Sequence, residues 1–397
     1  MARLHAGAGS SSARVARDAV REALTQARKE LGDVAPRLAY VAWSVEHDAS
    51  VVVAALREAL PGVPIHGASS SLGVCGPQGI TAGAHGAVGI LLLGADADIA
   101  LHVAHAPVEA DGREAGRKAA AELMSKGRPK LIWMHASPGK EEDILLGIAD
   151  EAPGVPVFGG SAADNAIAGE WRVVASPEPI ASGVSLAAIY GELRAGGAML
   201  APHSPTDRKA VVTRSKDRVL EALDGRPAAR VLREWIGDSI GSQVEEGGNI
   251  LAQTSLHPIA FPRTGSAGVH HVTVHPAVIH VPGGAVDLFA RAPQGSELCL
   301  MQGTPEQLVD ALDPLITAAL SSIGAAASEV RAGVLIYCAG CAGAVGPLLH
   351  EGLIRHLHAR LPGVPVLGML TFGEQGHVPG LGNLHQDLSL SLSLIAD

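Results

Sequence analysis

Pro153-Gly-Val-Pro-Val-Phe-Gly159 is one of three copies of a heptapeptide, the others being Pro61-Gly-Val-Pro-Ile-His-Gly67 and Pro362-Gly-Val-Pro-Val-Leu-Gly368. Each copy follows the same prelude: an apolar run suited to a buried strand (38–43, 131–135 and 334–338), a stretch of Gly, Ser or acidic residues, and a helical segment. The unit therefore reads strand, loop, helix, strand, loop. Its first Pro ends the helix, its Gly supplies a permissive turn, and its second Pro holds the preceding residue extended as the next strand begins. The closing Gly lets backbone approach a neighbour closely. The helices have crossover length, so the strands they join are expected to be parallel. The expected fold class is α/β: two related lobes with mixed or parallel sheets flanked by helices, built around three strand-loop-helix-strand units.

In such sheets ligands gather outside the carboxyl ends of the strands. The loops after the three copies, residues 68–71, 160–165 and 369–374, are therefore the first places to seek a site.

The 397 residues suffice for about two or three domains, each with a full core. Hydrophobic residues make up 47% and aromatics only 3%, so the core must be built from Ala, Val, Leu and Ile around close backbone approaches. So few rings argue against a base-stacking platform, and a net charge of -10 without a Lys or Arg cluster argues against a nucleic-acid partner. Cys75, Cys299, Cys338 and Cys341 do not form a disulfide framework. With no apolar leader segment in residues 1–12, a reduced, cytoplasmic setting is expected. The most apolar stretch, 80–95, is broken by His85 and several glycines, so no membrane partner is expected.

Ser10 to Ser12 read as the N-cap of an amphipathic helix in which Val15, Ala19, Ala23, Leu24, Ala27 and Leu31 recur at helical spacing. Strands are expected at 86–93, 99–104, 180–190 and 210–214, and helices at 111–126 and 226–236. Residues 237–268 are rich in Gly, Ser and Pro without sustained periodicity and mark the expected boundary between domains 1–236 and 237–397. Beyond it come strands at 269–275, 285–291 and 297–301, then a helix over 304–322 opened by Thr304 and Pro305. The alternation Leu388-Ser-Leu-Ser-Leu-Ser-Leu394 reads as a half-buried strand.

The three units occur together with Val157-Phe-Gly-Gly-Ser-Ala-Ala-Asp-Asn165, Leu223-Asp-Gly-Arg-Pro-Ala228, Ala292-Pro-Gln-Gly-Ser-Glu-Leu-Cys-Leu-Met301 and Gly368-Met-Leu-Thr-Phe-Gly-Glu374. In this order the segments resemble the FIST family of bacterial sensory proteins, with a FIST N-terminal region to residue 236 and a FIST C-terminal region from 237. The resemblance implies a domain that binds small molecules such as amino acids and acts through a separate signalling partner, such as a histidine kinase or cyclic-nucleotide enzyme. One branch of the family, the NosP-like proteins, implies haem and nitric-oxide sensing. Two departures remove charge from the implied site. Ser70-Ser71-Leu72-Gly73-Val74 lacks an acid that relatives carry, and Cys341 stands where an Arg is frequent.

The candidate ligand-binding residues are Ser69, Ser70, Ser71, Asp164, Asn165, Cys338, Thr371 and Glu374, each near a predicted strand end. Their hydroxyls and carboxylates suit an amine or hydroxyl, with neighbouring glycines exposing backbone N–H groups. The competing structural reading makes Asp164 a cap and Glu374 a surface ion pair. In Cys338-Ala-Gly-Cys341, between strand and helix, a thiolate could be stabilised, or two small side chains could simply fill a tight turn. No second cysteine pair completes a zinc site.

On a strand, His271 and His275 would share a face about 13 Å apart, too far to share one metal, and are read as solvated or partner-pairing. For haem, His203 is the candidate ligand, with His66 and His135 as alternatives. P-loop, Rossmann, serine-elbow and zincin motifs are all missing from the sequence. A cytoplasmic ligand-binding sensory protein leads; a haem-based sensor and an enzyme with a Cys nucleophile or redox pair are the alternatives.

Overall fold

The computed structural model describes residues 3–266 and 268–397. In each repeated unit the two strands pair in parallel and in the same register: Ala39 faces Ile65, Ile132 faces Val157, and Gly333 faces Val366. The expected parallel pairs are present. An antiparallel strand flanks each pair on one side: Val88–Ala95, Gly183–Tyr190 and Leu390–Ala396. A further antiparallel strand lies outside each of those, at Leu4–Ser11, Ala100–Pro107 and Arg194–Leu200. Three sheets of one pattern result, and the class is mixed α/β.

Chain leaving one unit completes the sheet of another. The hairpin after the first unit, Val74–Gly76 with Gly79–Thr81, pairs beside the third unit's Val366–Thr371. The hairpin after the third, Glu374–Val378 with Gly382–Gln386, pairs beside the second unit's Val157–Ser161. Val173, after the second, bridges to Ala68 of the first. The exchange closes a ring.

Three backbone hydrogen bonds repeat it at the centre: Ser71 N donates to Leu370 O (2.9 Å), Phe372 N to Ser161 O (3.3 Å), and Ala163 N to Ser69 O (3.0 Å). Counted from the closing glycine of each unit, every donor is the fourth following residue and every acceptor the second. The three post-repeat loops thus meet around one pseudo-threefold axis.

The closing glycines permit this approach. A Cβ at Gly67 would lie 1.8 Å from Val41 O, one at Gly159 1.8 Å from Met134 O, and one at Gly368 2.2 Å from Cys75 Sγ. The three sheets turn their inner faces to a shared core that includes Tyr40, Leu91, Trp133, Phe158, Ile189, Val334 and Met369. Helices cover the outer faces: Ala16–Leu31 and Ala49–Ala59 on the first sheet, Gly112–Met124 and Glu141–Glu151 on the second, and Leu312–Ile323 with its neighbours on the third. Small residues keep the layers close, as the composition demands.

A fourth sheet is antiparallel and straddles residue 236. Ser204–Lys216 pairs with Glu297–Gln302, and Val219–Leu223 with Ala285–Leu288. Residues 237–266 hold short helices and the strand Ile259–Gly265.

Two local expectations need correction. Ser10 and Ser11 end a strand, Leu4–Ser11, instead of capping a helix; the helix starts at Ala16 after Val15, which makes no side-chain cap. Ser11 Oγ turns inward to accept from Ala13 N and donate to Glu22. The carboxyl-terminal strand Leu390–Ala396 is buried on both faces, not one. Its leucines pack under the third sheet's helices, while Ser393 faces inward and accepts from Trp133 Nε1 (2.8 Å). Alternation here separates two buried environments, not core from solvent.

The inner core also encloses polar groups. His135 Nδ1 donates to Gly160 O (2.7 Å) and its Nε2 accepts from the Tyr40 hydroxyl. His66 stacks on His135, with ring centroids 4.9 Å apart. Burial holds His135 down at about 4, although the Gly160 carbonyl favours its protonated form.

The sign of the pH effect follows. Because the folded value lies below the ordinary 6.5, the unfolded chain takes up this proton first, and stability is lost as pH falls from 6.5 through 4. The loss attributable to His135 is about 3 kcal/mol when complete. Urea midpoints at pH 7 and pH 4 should therefore converge for His135→Asn and wild type as pH falls; parallel profiles would refute the assignment.

Candidate functional site

Where the ring of loops meets the fourth sheet there is a cleft of about 480 Å³. Ser71 and Leu72 line it from the first loop, Asn165 to Ile167 from the second, and Thr371 to Gly373 from the third. Cys338, Ala339, Gly340 and Gly343 contribute from the turn and helix after the third unit's first strand. The fourth-sheet side supplies Asn249, Leu251, Ala252, Ser255, His275 and Phe289, and Asp387 also lines the cleft. The expected loops do converge, but only some of the eight candidate residues face the cavity.

Ser71, Asn165, Cys338 and Thr371 line it. Ser69 and Ser70 are fully buried beside it and serve the backbone: Ser69 Oγ accepts from Arg172 N, while Ser70 Oγ donates to Gly73 O and accepts from Leu370 N. Asp164 is buried and accepts from the N–H groups of Ala166, Ile167, Ala168 and Glu170, so its carboxylate shapes the loop that carries Asn165. Asn165 Oδ1 accepts from Leu72 N (2.7 Å) and its Nδ2 donates to Glu46 (2.6 Å), joining two loops.

Glu374 is not a surface ion pair. It is fully buried and accepts from Thr371 Oγ1 (2.8 Å), Gly373 N, and both N and Oγ of Ser389. Burial, with the nearby Cys338 and Asp387 anions, pushes its carboxyl well above the ordinary range against those donors.

The cysteines are differentiated. Burial pushes both up, but at Cys338 the neighbouring Cys341 thiol and the nearby N–H groups of Gly340 and Cys341 reverse this, and its value falls below the ordinary one. Cys341 is pushed well above. Cys338, the member of the pair with the lowered value, is the one that lines the cleft.

His275 and Asp387 were not anticipated. His275, expected to be solvated or partner-pairing, is buried, and its Nε2 donates to Leu251 O (3.1 Å). Asp387 Oδ2 accepts from His275 N (3.1 Å), and burial raises its carboxyl to about 6. Oδ1 of Asp387 has no partner. The sequence offered one weak signal, an acid directly before the alternating carboxyl-terminal strand.

The histidines considered for haem do not fit it. Iron needs a free ring nitrogen facing an apolar slot. His66 and His135 are shut in the inner core, and His203 Nε2 donates to Ser255 O (2.9 Å) while its other nitrogen is buried. None of the three lines the cleft.

These features define a mixed α/β protein in which three repeated units close around one core and a fourth sheet completes a cleft over their loops. The FIST N domain matches residues 37–226 and the FIST C domain matches 228–377, so the chain belongs to the FIST family. The junction of the two matches falls inside the strands of the fourth sheet.

No curated protein matches the chain. Among solved structures, a cyanuric acid hydrolase from A. caulinodans is similar at 11% identity and TM-score 0.34, covering 100% of this chain and 99% of its own. A second cyanuric acid hydrolase structure aligns at 9% identity and TM-score 0.34, over 99% of each chain. Likeness this low carries no argument about function. No helix among the described residues is long and apolar enough to cross a membrane.

Proposed function

We propose that the protein is a sensor whose cleft binds a small ligand with an apolar body and an N–H donor group. The supporting observation is the cleft's chemistry: its walls are largely apolar, no Lys or Arg lines it, and Asp387 brings a carboxylate. A donor would find acceptors there, whereas a ligand carboxylate would find no cation. Ser71, Asn165 and Thr371 supply further polar contacts. Binding would bridge the ring loops and the fourth sheet and favour one arrangement of the two. The family's association with sensory signalling supports output through a separate cytoplasmic partner, such as a histidine kinase or cyclic-nucleotide enzyme.

Gly343 gives a clean test. A Cβ there meets nothing within 4 Å, and the residue lines the cleft, so Gly343→Leu should fill the cavity without disturbing the core. In a thermal-shift screen of amines, amides and N-heterocycles, a ligand at about 100 times its Kd adds about 2.7 kcal/mol of stability. That shift should vanish in Gly343→Leu. No shift for any compound with wild type, or an undiminished shift in the variant, would remove the reading.

Cys338 favours a second reading, a thiol that reacts with the bound molecule. Alkylation at Cys338 much faster than at Cys341, and retained in Cys341→Ser, would support it; equal slow labelling would count against it.

A further inference from the structure

Glu141 and Glu142 open the helix Glu141–Glu151, and His385 lies on the Gly382–Gln386 strand that the third unit lends to the second unit's sheet. One ligand atom from each of these side chains lies within 4.8 Å of the others. An acidic cluster alone would mean little, but two further atoms point to an occupant. His385 Nε2 and Asp387 Oδ1 are both buried, both without a hydrogen-bond partner, and 3.8 Å apart. That is too long for a hydrogen bond, so the buried His385 Nε2 is left without a partner among the described residues.

We propose that Glu141, Glu142 and His385 form a binding site for a divalent first-row cation, Zn²⁺ or Mn²⁺, with Asp387 beside His385. One imidazole with carboxylates is the donor set such ions accept. The charge balance agrees: two carboxylates, Glu141 and Glu142, meet one close guanidinium, Arg218, whose Nη2 contacts both. Arg218 occupies only part of the acceptor capacity, because a carboxylate offers about four lone-pair positions. Glu142 uses one oxygen for Arg218 and the other for Arg291 N (2.9 Å).

A surrounding shell is in place as well. Glu141 accepts from Ser161 Oγ (2.8 Å) and Gly139 N (2.9 Å), and the Gln375 amide lies 3.1 Å from His385 Nδ1. The amide nitrogen also lies 3.2 Å from Ser161 Oγ and 3.4 Å from Gly373 O, so binding at Nε2 requires the amide to leave these contacts and turn its oxygen to accept from Nδ1–H. The cation would tie the second unit's helix Glu141–Glu151 to the strand Gly382–Gln386 that the third unit lends to its sheet. This inference stands independently of what the cleft binds.

The test is calorimetric titration of chelator-treated, full-length protein with Zn²⁺ and Mn²⁺, together with the absorption spectrum of the Co²⁺ form. One equivalent should bind, without a thiolate-to-cobalt charge-transfer band. His385→Ala and Glu142→Gln should each weaken binding by more than about tenfold, while Cys338→Ser/Cys341→Ser leaves it unchanged. Glu142 is partly exposed at the helix start, so its conservative variant keeps the test open if His385→Ala does not fold. Absence of stoichiometric binding, full affinity in a folded ligand variant, or loss in the cysteine variant would each overturn the proposal.

Discussion

Gly159→Ala should cost more than about 4 kcal/mol, a loss found only where a core feature is broken, and enough to unfold a protein of ordinary stability. The added Cβ would lie 1.8 Å from Met134 O and 2.8 Å from Met134 C, which is backbone that cannot swing aside. Relief would require separating Val157–Ser161 from Leu131–Ala136, and with them the hydrogen bonds that tie the second loop into the ring. Gly363→Ala, in the third copy of the heptapeptide, is the matched control. Its φ is +71° and its Cβ would meet nothing within 4 Å, so only backbone strain of about 1–2 kcal/mol is expected. Chemical denaturation of the two variants decides the matter. A loss at Gly159 no larger than at Gly363 would mean that the two strands part easily and that close approach is not what the closing glycine is kept for.

That contrast shows what the repeat revealed and what it concealed. The order of apolar run, helix and Pro-Gly-Val-Pro made the parallel pairs readable, because each rests on residues a few dozen positions apart with strong local punctuation. The exchange of trailing hairpins was not readable. Cys75 pairs with Gly368 across 293 residues, and nothing in either segment names its partner. The serines of the last strand misled for a related reason: Ser393 is inside because Trp133, 260 residues away, needs an acceptor.

The same limit governs the site. Convergence of three loops followed from equivalent positions in a repeat, and Ser71, Asn165, Cys338 and Thr371 do line the cleft. Asp164 does not line the cleft, and its own following backbone supplies four donors to its carboxylate, an arrangement that depends on how residues 166–170 curl. Asp387, and the burial of His275 beside it, are not legible in the sequence because the two belong to segments outside the repeat and meet each other across 112 residues. Glu141 and Glu142 read as favourable acids in a helix first turn, which they are; their partner Arg218 comes from the fourth sheet.

Arg218→Met should destabilise the protein by about 3–5 kcal/mol, the cost of leaving buried carboxylates without their partner. Glu141 is 1% exposed and Arg218 16%, so solvent cannot replace the lost guanidinium at Glu141. Burial alone would raise the Glu141 carboxyl; the His385 and Arg218 charges reverse this and hold it below the ordinary range. The loss should be conditional. In a Glu141→Gln/Glu142→Gln background, Arg218→Met should cost less than about 1 kcal/mol beyond the double variant, because no buried anion remains to be stranded. Arg291, paired with Asp143 (2.7 Å) and Asp217 (2.9 Å) beside the same junction, makes a more exposed contact, and Arg291→Met should cost under about 1 kcal/mol through its ion pairs. Urea denaturation of the cycle measures the coupling directly. Additive losses would show that Arg218 acts through its packed stem, and the junction between the ring and the fourth sheet would then rest on apolar contacts instead of the buried ion pair.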